Sequence, residues 1–510
     1  MLEDDAYLAR HVDVYFEHVH TTGCYGFLHE PSVREAMSEG RLSRSLALAM
    51  CAASTRFLSS TSGKTNSSSG DGAADPDSTG IAMAHRAQVW ADEAKRLVFS
   101  RLYEYDLDAL ASLLLQFYHA VANAQFEVVR ILASTAARMA VGMNLHVEEQ
   151  EGEIPSPRGT GTTEQELEWD ERPAQIEIRR EKKRRIVWAC QFFDWITCQG
   201  RLEDLALRPG LITVRLPAED SSFLSGEPSD MPSLEMFDRD LADQTTNGAM
   251  DRHNPRSAYI HLMWIRTRVV QYVVGCPRAS HPPWLAYSQF QALERELSEW
   301  SRRLPASLTL CMSLETSRST SEPTLNMLLL MLEAWFHEAC ACLLGIVLPS
   351  AGLGGHLSVA LPRAMIAVAP DTWLAHARQR CLDHCVAISE PARRGALASL
   401  GFAFEDVDFP LLAVESIERR MAWVDAEPVR AFDEEIMLPL AIHLEATFRS
   451  AAATRRYFPV VGPLLVAANQ MLLHRGFPAM PAVERDLNPD HWYRQTISTV
   501  HLEPGIADSS

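Results

Sequence analysis

The chain has 510 residues, of which 47 % are hydrophobic and 22 % are charged, and this composition is typical of a globular protein with a large core. Its formal net charge of −19 at pH 7 opposes contact with DNA phosphates and anionic membrane surfaces unless a local basic patch supplies the contact. The ten cysteines are scattered, and the first residues, MLEDDAYLARHVDVYF, lack the basic start and apolar run of a signal peptide. We therefore expect a protein of the nucleus or cytoplasm with no membrane partner.

Apolar residues recur at steps of three and four along most of the chain, and this spacing predicts helices. The predicted helices cover residues 4–20, 42–58, 81–103, 107–121, 126–143, 258–275, 284–303, 324–348, 371–389, 407–424, 429–450 and 458–475. Asp106 or Asp108 is placed to cap the helix that begins near residue 107. That helix and the next are joined by a short polar turn, which predicts an antiparallel hairpin. The longest extended pattern is the short segment 211–216, so the predicted fold class is all-α, a multi-helix domain.

Two stretches have the composition of long disordered loops. Residues 59–79 are dominated by Ser, Gly, Thr and Asp, and residues 148–171 are acidic and contain Pro and Gly. The last segment, 481–510, is a Pro-rich tail. We expect two helical halves, residues 1–220 and 221–480, with both loops in the first half.

The stretch 179–217 is the most distinctive part of the chain. It opens with a run of basic residues, namely Arg179, Arg180, Lys182, Lys183, Arg184 and Arg185. Trp188, Phe192, Trp195 and Gln199 follow at steps of four, three and four, so one helix face is aromatic. The basic run has three interpretations: a solvated helix face, a nuclear-localisation patch, or a DNA contact that the surrounding negative charge opposes. The aromatic face forms either core or the wall of a ligand pocket.

No catalytic motif is present in the sequence. A metalloprotease His-Glu-x-x-His, a Gly-x-Ser-x-Gly elbow and a dinucleotide-binding Gly-x-Gly-x-x-Gly after a strand are all missing. The most apolar run, residues 325–348, contains Glu333, His337 and Glu338, which predicts a buried helix instead of a membrane span. We expect no catalytic residues.

The close cysteine pairs are the candidates for a zinc site. Cys381, His384 and Cys385 share one helical face, but a closed zinc site needs four ligands. Cys340 and Cys342 point to different faces of their own helix, so they do not complete the set. We therefore expect no metal ligands and no cofactor.

Four segments in order resemble the regulatory (middle homology) domain of fungal zinc-cluster transcription factors. They are LARHVDVYFEHVHTTGCYGFLHEPSVRE, ILASTAARMAVGMNLH, EKKRRIVWACQFFDWITCQGRL and ITVRLPAED, and they cover about residues 8–220. The third segment carries the signature; its matching residues are Arg184, Arg185, Val187, Trp188, Asp194, Gly200 and Arg201. Three positions depart from the family pattern: Ala189 replaces a tryptophan, Leu202 a proline, and Asn144 a glycine.

The resemblance implies a nuclear transcription regulator that controls metabolic or secondary-metabolite genes. It also implies homo- or heterodimerisation and a small hydrophobic effector. Family members bind DNA through an N-terminal zinc module of closely spaced cysteines, but Cys24 is the only cysteine in the first fifty residues of this sequence. The family's zinc ions and a direct DNA contact are therefore not expected, which indicates either a truncated chain or a stand-alone regulatory domain. The alternatives are a helical enzyme or small-molecule-binding protein that reuses the scaffold, and a pure dimerisation module.

We expect the signature residues to be structural. Arg184 and Arg185 can pair with carboxylates such as Glu148, Glu149 or Asp194, and Trp188 fills the core. Gly200-Arg201 makes a tight turn that favours positive φ. Asp194→Ala is accordingly expected to harm folding more than any reaction.

Overall fold

A computed structural model describes residues 5–61, 76–104, 106–148, 172–236, 254–275, 281–305, 308, 323–349, 360–397, 408–427 and 461–474. Over these ranges the regular secondary structure is helical, apart from one isolated antiparallel bridge between Arg215 and Ser233. The bridge lies in the segment for which the sequence predicts an extended backbone. The all-α prediction is confirmed.

The helices are numbered here in chain order. Their bounds are α1 Asp5–Val14, α2 Glu30–Ser38, α3 Arg44–Thr61, α4 Pro76–Ser100, α5 Leu107–Ala122, α6 Phe126–Gly142, α7 Pro173–Cys198, α8 Asp220–Ser225, α9 Pro255–Gly275, α10 Gln289–Arg303, α11 Pro323–Leu344, α12 Arg363–Ile366, α13 Asp371–Leu397, α14 Asp408–Ala426 and α15 Val461–His474. A π-helical turn, Tyr15–Val19, continues α1.

Local chemistry accounts for where several helices begin. The Asp106 carboxylate accepts hydrogen bonds from the backbone N–H groups of Asp108 and Ala109, both at 3.2 Å, and so caps α5. The α10 helix begins at Gln289, later than the predicted residue 284, because the Ser288 hydroxyl accepts from the Gln291 N–H and caps the helix there.

Other bounds differ from the predictions or lie outside the described part. Helices α3 and α4 extend into both ends of the predicted loop 59–79, whose remaining residues are outside the described ranges. The predicted helix 429–450 and the predicted tail 481–510 also lie outside them, as does nearly all of the loop 148–171. The short helix α8 lies in a stretch predicted to be irregular.

The helices pack as a continuous series. Helix α3 lies against α4 and α5, α5 and α6 form the predicted hairpin, and α6 contacts α7. Helix α7 then packs on α9, α9 on α11, α11 on α13, and α13 on α14, which contacts α15. One hydrophobic core runs through this series from α1 to α15. Helix α9 therefore connects the N-terminal helices with the C-terminal ones.

The segment Leu328–Val347, mostly in α11, is long and apolar enough to cross a membrane by length and composition alone. In this structure, however, 72 % of that segment is buried among other helices. Glu338 within it is fully buried and paired with an arginine of α9. These contacts agree with the prediction of a buried helix.

Candidate functional site

Arg185 on α7 is the centre of a buried polar network, and its side chain is 3 % exposed. Its Nε atom donates to Glu181 at 2.8 Å. One terminal nitrogen donates to the carbonyl of Gly26 at 2.9 Å and to Asp220 at 2.7 Å. The other donates to the carbonyl of Ala218 at 2.9 Å. One side chain thus holds together the turn before α2, the body of α7 and the start of α8.

Asp220 is shared by two arginines. Besides Arg185, it accepts from Arg256 on α9, at 2.7 Å from Nε and 3.1 Å from Nη2. Burial would raise the pKa of Asp220, but the charges of Arg256 and Arg185 outweigh burial and hold its pKa well below the usual range. The Arg185 guanidinium also lies 4.2 Å from the ring centroid of Phe223. The carboxylate stays ionised and fixes α8 to both α7 and α9.

Arg184 points to the other side of α7 and confirms one predicted pairing. Its Nε donates to Glu148 at 2.9 Å, and Glu148 also accepts from the backbone N–H of Arg215 at 2.9 Å. The indole N–H of Trp188 donates to the carbonyl of the same Arg215 at 2.8 Å. Glu148 holds the N–H of Arg215 and Trp188 holds its carbonyl. The segment 211–216 is therefore fixed against α7.

Asp194 does not pair with either of these arginines, which corrects part of the prediction. Its carboxylate is 2 % exposed and accepts from the backbone N–H of Leu207 at 2.8 Å. Burial raises the pKa of Asp194 to about 6, against the opposing effects of the Leu207 and Ala206 N–H groups and of Arg138. Asp194 thus caps loop backbone after α7, while the other suggested partner, Glu149, lies outside the described residues.

The turn after α7 needs glycine. Gln199 and Gly200 both have positive φ, 52° and 80°. A Cβ atom at position 200 would lie 2.9 Å from the carbonyl carbon and oxygen of Val270 on α9. Arg201 completes the turn, with its N–H on the carbonyl of Cys198 at 3.0 Å. The predicted positive φ is confirmed. The close approach to α9 is a second reason why position 200 needs glycine.

The basic run does not form one exposed patch. Arg184 and Arg185 are buried, Arg180 pairs with Glu177 at 2.6 Å, and Lys182 pairs with Asp108 at 3.1 Å. The remaining two, Arg179 and Lys183, are half-buried. The nuclear-localisation interpretation of the six residues stays a prediction, and in the folded chain only four of them are accessible to a receptor.

The aromatic face of α7 is core. Trp188, Phe192 and Trp195 are each at most 3 % exposed. Phe192 lies 5.5 Å from the ring of Tyr259, and Trp195 lies 5.7 Å from the ring of Trp264, both on α9. The packing interpretation of this face therefore holds, and these rings supply the contact between α7 and α9.

A second polar cluster joins α9, α11 and α14. Arg266 donates to Glu338 at 2.6 Å, and Arg419 approaches the other Glu338 oxygen at 3.4 Å. The Arg266 guanidinium lies 4.6 Å from the ring centroid of Trp335. Glu415 contacts Arg419 at 3.7 Å; burial and then the Glu338 charge raise the pKa of Glu415 to about 7. This cluster fixes the C-terminal helices to α9.

The sequence reasoning did not identify this second cluster. Its signal was Glu338, one of the two acidic residues in the apolar helix α11, because a buried charge needs a partner of opposite sign. The histidines and cysteines nearby do not form a metal site. His384 contacts His337 through their Nδ1 atoms at 2.8 Å, and the Cys381 thiol donates to the carbonyl of Ala341 at 3.5 Å. Among the described residues, no group of three or more His, Cys, Asp or Glu is placed to hold a metal ion.

The fold and its networks define a class of protein: an all-helical domain in which the signature arginines and carboxylates join helices to one another. Residues 12–301 match the fungal specific transcription factor domain, and the chain belongs to this family. The match ends within α10, so it includes the whole α7 network and Arg266 of the second cluster.

Three curated relatives illustrate the similarity. A Zn(2)-C6 fungal-type transcription factor (FTF1c) of Fusarium oxysporum f. sp. lycopersici is 29 % identical over 223 residues, which are 44 % of this chain and 21 % of the relative. Another from the same organism (FTF1a) is 31 % identical over 209 residues, 41 % of this chain and 17 % of the relative. An uncharacterized transcriptional regulatory protein of Schizosaccharomyces pombe is 25 % identical over 305 residues, 57 % of this chain and 33 % of the relative. The aligned part of this chain spans a third or less of each relative. No solved structure matches the chain.

Proposed function

We propose that this chain is a nuclear transcription regulator that works through its helical regulatory domain. The observation that carries the proposal is the family match over residues 12–301. The relatives described as transcription factors and transcriptional regulators support it. Control of metabolic or secondary-metabolite genes is the part of the proposal that rests on the resemblance of the signature segments.

We further propose that the chain is not an enzyme. General acid–base and nucleophilic catalysis require polar groups that converge on an accessible cleft. In the α7 network, by contrast, all three guanidinium nitrogens of Arg185 bind carbonyl or carboxylate oxygens of the fold. Asp194 likewise binds loop backbone. The residues that identify the family therefore support a structural role.

Contact with DNA is expected to come through another module or a partner chain. The net charge of −19 opposes direct binding to a polyanion, because each phosphate contact needs a cation and the basic run is largely paired. A heterodimer with a DNA-binding regulator would meet this requirement, whereas a homodimer would meet it only together with such a regulator.

The proposal is tested by fusing the full chain to an unrelated sequence-specific DNA-binding domain and measuring a reporter placed behind the matching site in fungal cells. Reporter expression is expected to rise or fall severalfold relative to the DNA-binding domain alone. A soluble, nuclear fusion that leaves expression unchanged in several growth media would contradict the proposal.

A matched pair of variants connects the readout to the fold. Arg185→Leu removes the centre of the α7 network and should abolish the reporter effect. Arg41→Gln removes an exposed ion pair with Glu39, whose side chains are 64 % and 47 % exposed, and should leave the effect intact. Retention of the effect in the Arg185 variant, or an equal loss in both variants, would show that the reporter effect does not depend specifically on the α7 network.

A further inference from the structure

The outer face of α6 carries two arginines without a carboxylate partner. Arg130 and Arg138 are exposed, and neither forms an ion pair with a residue that the structure describes. Exposed arginines on other helices, such as Arg96 and Arg302, pair with a glutamate one turn away. The only acid in the α6 sequence is Glu127 at its start. The two guanidinium groups are therefore available to carboxylates from outside the fold.

An apolar side chain lies between these two arginines. Ile131 is 58 % exposed, and Ser134, one turn further along the exposed face, is too short to cover it. Arg130 and Arg138 are eight residues apart in the sequence, which is about 12 Å along the helix axis. The face therefore presents two cations with an apolar group between them, over a length that two turns of a partner helix would match.

The loop after α7 extends this face with a third arginine and a second apolar group. Asp194 accepts a hydrogen bond from the N–H of Leu207, and the charge of Arg138 favours its ionised form, so this loop lies beside α6. The next residue, Arg208, is exposed and likewise forms no ion pair with a described residue. Its carbonyl accepts from the N–H of Leu211, whose side chain is 55 % exposed. We refer to the following residues together as the α6 surface: Arg130, Ile131, Ser134, Arg138, Arg208 and Leu211.

These features select a class of partner. A guanidinium binds a carboxylate through charge-assisted hydrogen bonds, and exposed Ile131 and Leu211 gain free energy when apolar groups cover them. DNA or an anionic membrane extends over the whole molecule, so its contact is opposed by the net charge of −19. A short acidic peptide senses only charges within about 8 Å at physiological ionic strength, and there the α6 surface supplies three arginines. An acidic peptide with apolar side chains therefore fits this surface better than a polyanion does.

We propose that the α6 surface binds an acidic amphipathic segment of a partner protein. The carboxylates of that segment bind Arg130, Arg138 and Arg208, and its apolar side chains cover Ile131 and Leu211. The surface lies within the family-matched residues 12–301. It supplies a contact for the partner chain that the proposed function requires, and in that respect it rests on the proposed function. Peptide binding is measured on the purified protein, so its failure is distinguishable from a failure of the reporter experiment.

Fluorescence anisotropy on the full chain tests the proposal with labelled peptides of about 15 residues. The first peptide is alanine-rich and carries two glutamates two helical turns apart, with two leucines between them. The second has glutamines in place of the glutamates, and the third has serines in place of the leucines. The first should bind saturably, and each of the others about tenfold more weakly or worse. The absence of saturable binding by the first peptide, or equal affinity for all three, would overturn the proposal.

Variants of the exposed side chains place the peptide on the α6 surface. Arg130→Gln combined with Arg138→Gln should remove the preference for the glutamate peptide, and Ile131→Ser should weaken its binding about fivefold. These side chains are exposed, so the variants should keep the wild-type melting temperature. The matched control combines Arg96→Gln with Arg302→Gln, which changes the net charge equally at side chains that are 64 % and 68 % exposed. Unchanged binding in the α6 variants, or an equal loss in the control, would overturn the proposal.

Three further results would assign the α6 surface to another occupant and so overturn the proposal. Tighter binding of a short DNA duplex than of the first peptide, at the same salt concentration, would indicate nucleic acid. Sedimentation as a dimer that the double arginine variant dissociates would indicate a second copy of the chain. Peptide binding that requires deletion of residues 150–170 would indicate the acidic segment of the same chain.

Discussion

Two ion networks hold this fold together, and they differ in how closely their carboxylates are bound. In the α7 network the cations are in excess around Asp220, and Arg185 places two of its hydrogen bonds on backbone carbonyls. In the second cluster two carboxylates, Glu338 and Glu415, lie beside Arg266 and Arg419. Both carboxylates of the first network, Glu181 and Asp220, already accept hydrogen bonds from Arg185, whereas in the second Glu415 lies 3.7 Å from Arg419, beyond hydrogen-bond distance.

Helix α9 carries both networks. Arg256 near its start joins the first, and Arg266, almost three turns later, joins the second. Helix α9 is therefore fixed near its start by closely hydrogen-bonded charges and near its middle by charges that we expect to exchange partners. Five measurements test this difference, and they follow in order of decreasing expected effect.

Arg185→Leu is expected to give the largest loss of stability. It removes the closest cation of Glu181, which keeps only the Ala218 N–H at 2.8 Å and Arg184 at 3.5 Å, and it removes the donor to two carbonyls. Removing one partner of such a buried pair costs about 3–5 kcal/mol in the free energy of unfolding. Urea denaturation followed by far-UV circular dichroism measures this loss. Arg41→Gln, at an exposed pair, should change stability by less than about 0.5 kcal/mol, and an equal loss in both variants would show that the network is not structural.

Glu338→Gln is expected to cost less, about 2–3 kcal/mol, although Glu338 is fully buried. Glu415 can ionise and take over Arg419, because its pKa is raised partly by the Glu338 charge that the substitution removes. The double variant with Glu415→Gln should therefore lose more than the sum of the single losses. Additive losses in the same urea titrations would contradict an exchangeable second cluster.

Asp194→Asn tests how the burial of one carboxyl group affects the pH dependence of the stability of the fold. The pKa of Asp194 is raised from 3.8 to about 6 in the folded protein, so wild-type stability from this group is present below pH 4 and is lost as pH rises to about 6. The asparagine side chain of the variant does not titrate, so the variant does not lose stability in this way as pH rises. Its stability relative to wild type should rise by about 2 kcal/mol between pH 4 and pH 6 and then stay constant.

The control for this pH series is Ser225→Ala, which removes an exposed hydroxyl on α8 and no titrating group. Its stability difference from wild type should be flat over the same range. A flat difference for Asp194→Asn as well would show that the carboxyl is already solvated in the folded state.

Gly200→Ala tests the contact between the turn after α7 and helix α9, the helix that carries both networks. Both the φ of 80° and a contact of 2.9 Å with Val270 oppose a Cβ atom. Gly40 has a similar φ of 66° but nothing within 4 Å of the added Cβ, so Gly40→Ala isolates the backbone strain. We expect about 1 kcal/mol for Gly40→Ala and about 2 kcal/mol for Gly200→Ala. Equal melting temperatures for the two variants would mean that α9 moves aside at no cost.

The sequence was sufficient to predict the long helices, because each buries an apolar stripe that repeats at helical spacing, but not the short helices α8 and α12. It also offered Glu148 as one of three carboxylates for Arg184 and Arg185, and it predicted the tight turn at Gly200, because buried charges need partners and glycine readily adopts positive φ. Asp194 was misassigned because a carboxylate near arginines in sequence can equally bind loop backbone, and only the fold decides which group reaches it. The partners of Glu338 lie 72 and 81 residues away, a separation that no local pattern reveals.

The smallest effect is expected for Lys182→Gln combined with Lys183→Gln. Lys182 is 23 % exposed and its pair with Asp108 is partly solvated, so stability should change by less than about 0.5 kcal/mol. Nuclear accumulation of a fluorescent fusion should also persist, because the basic run is helical and the buried Arg184 and Arg185 cannot enter a receptor groove. Loss of nuclear accumulation at unchanged stability would instead support the nuclear-localisation interpretation. It would also require the start of α7 to open, which Arg185 opposes through its bonds to α8 and the turn before α2.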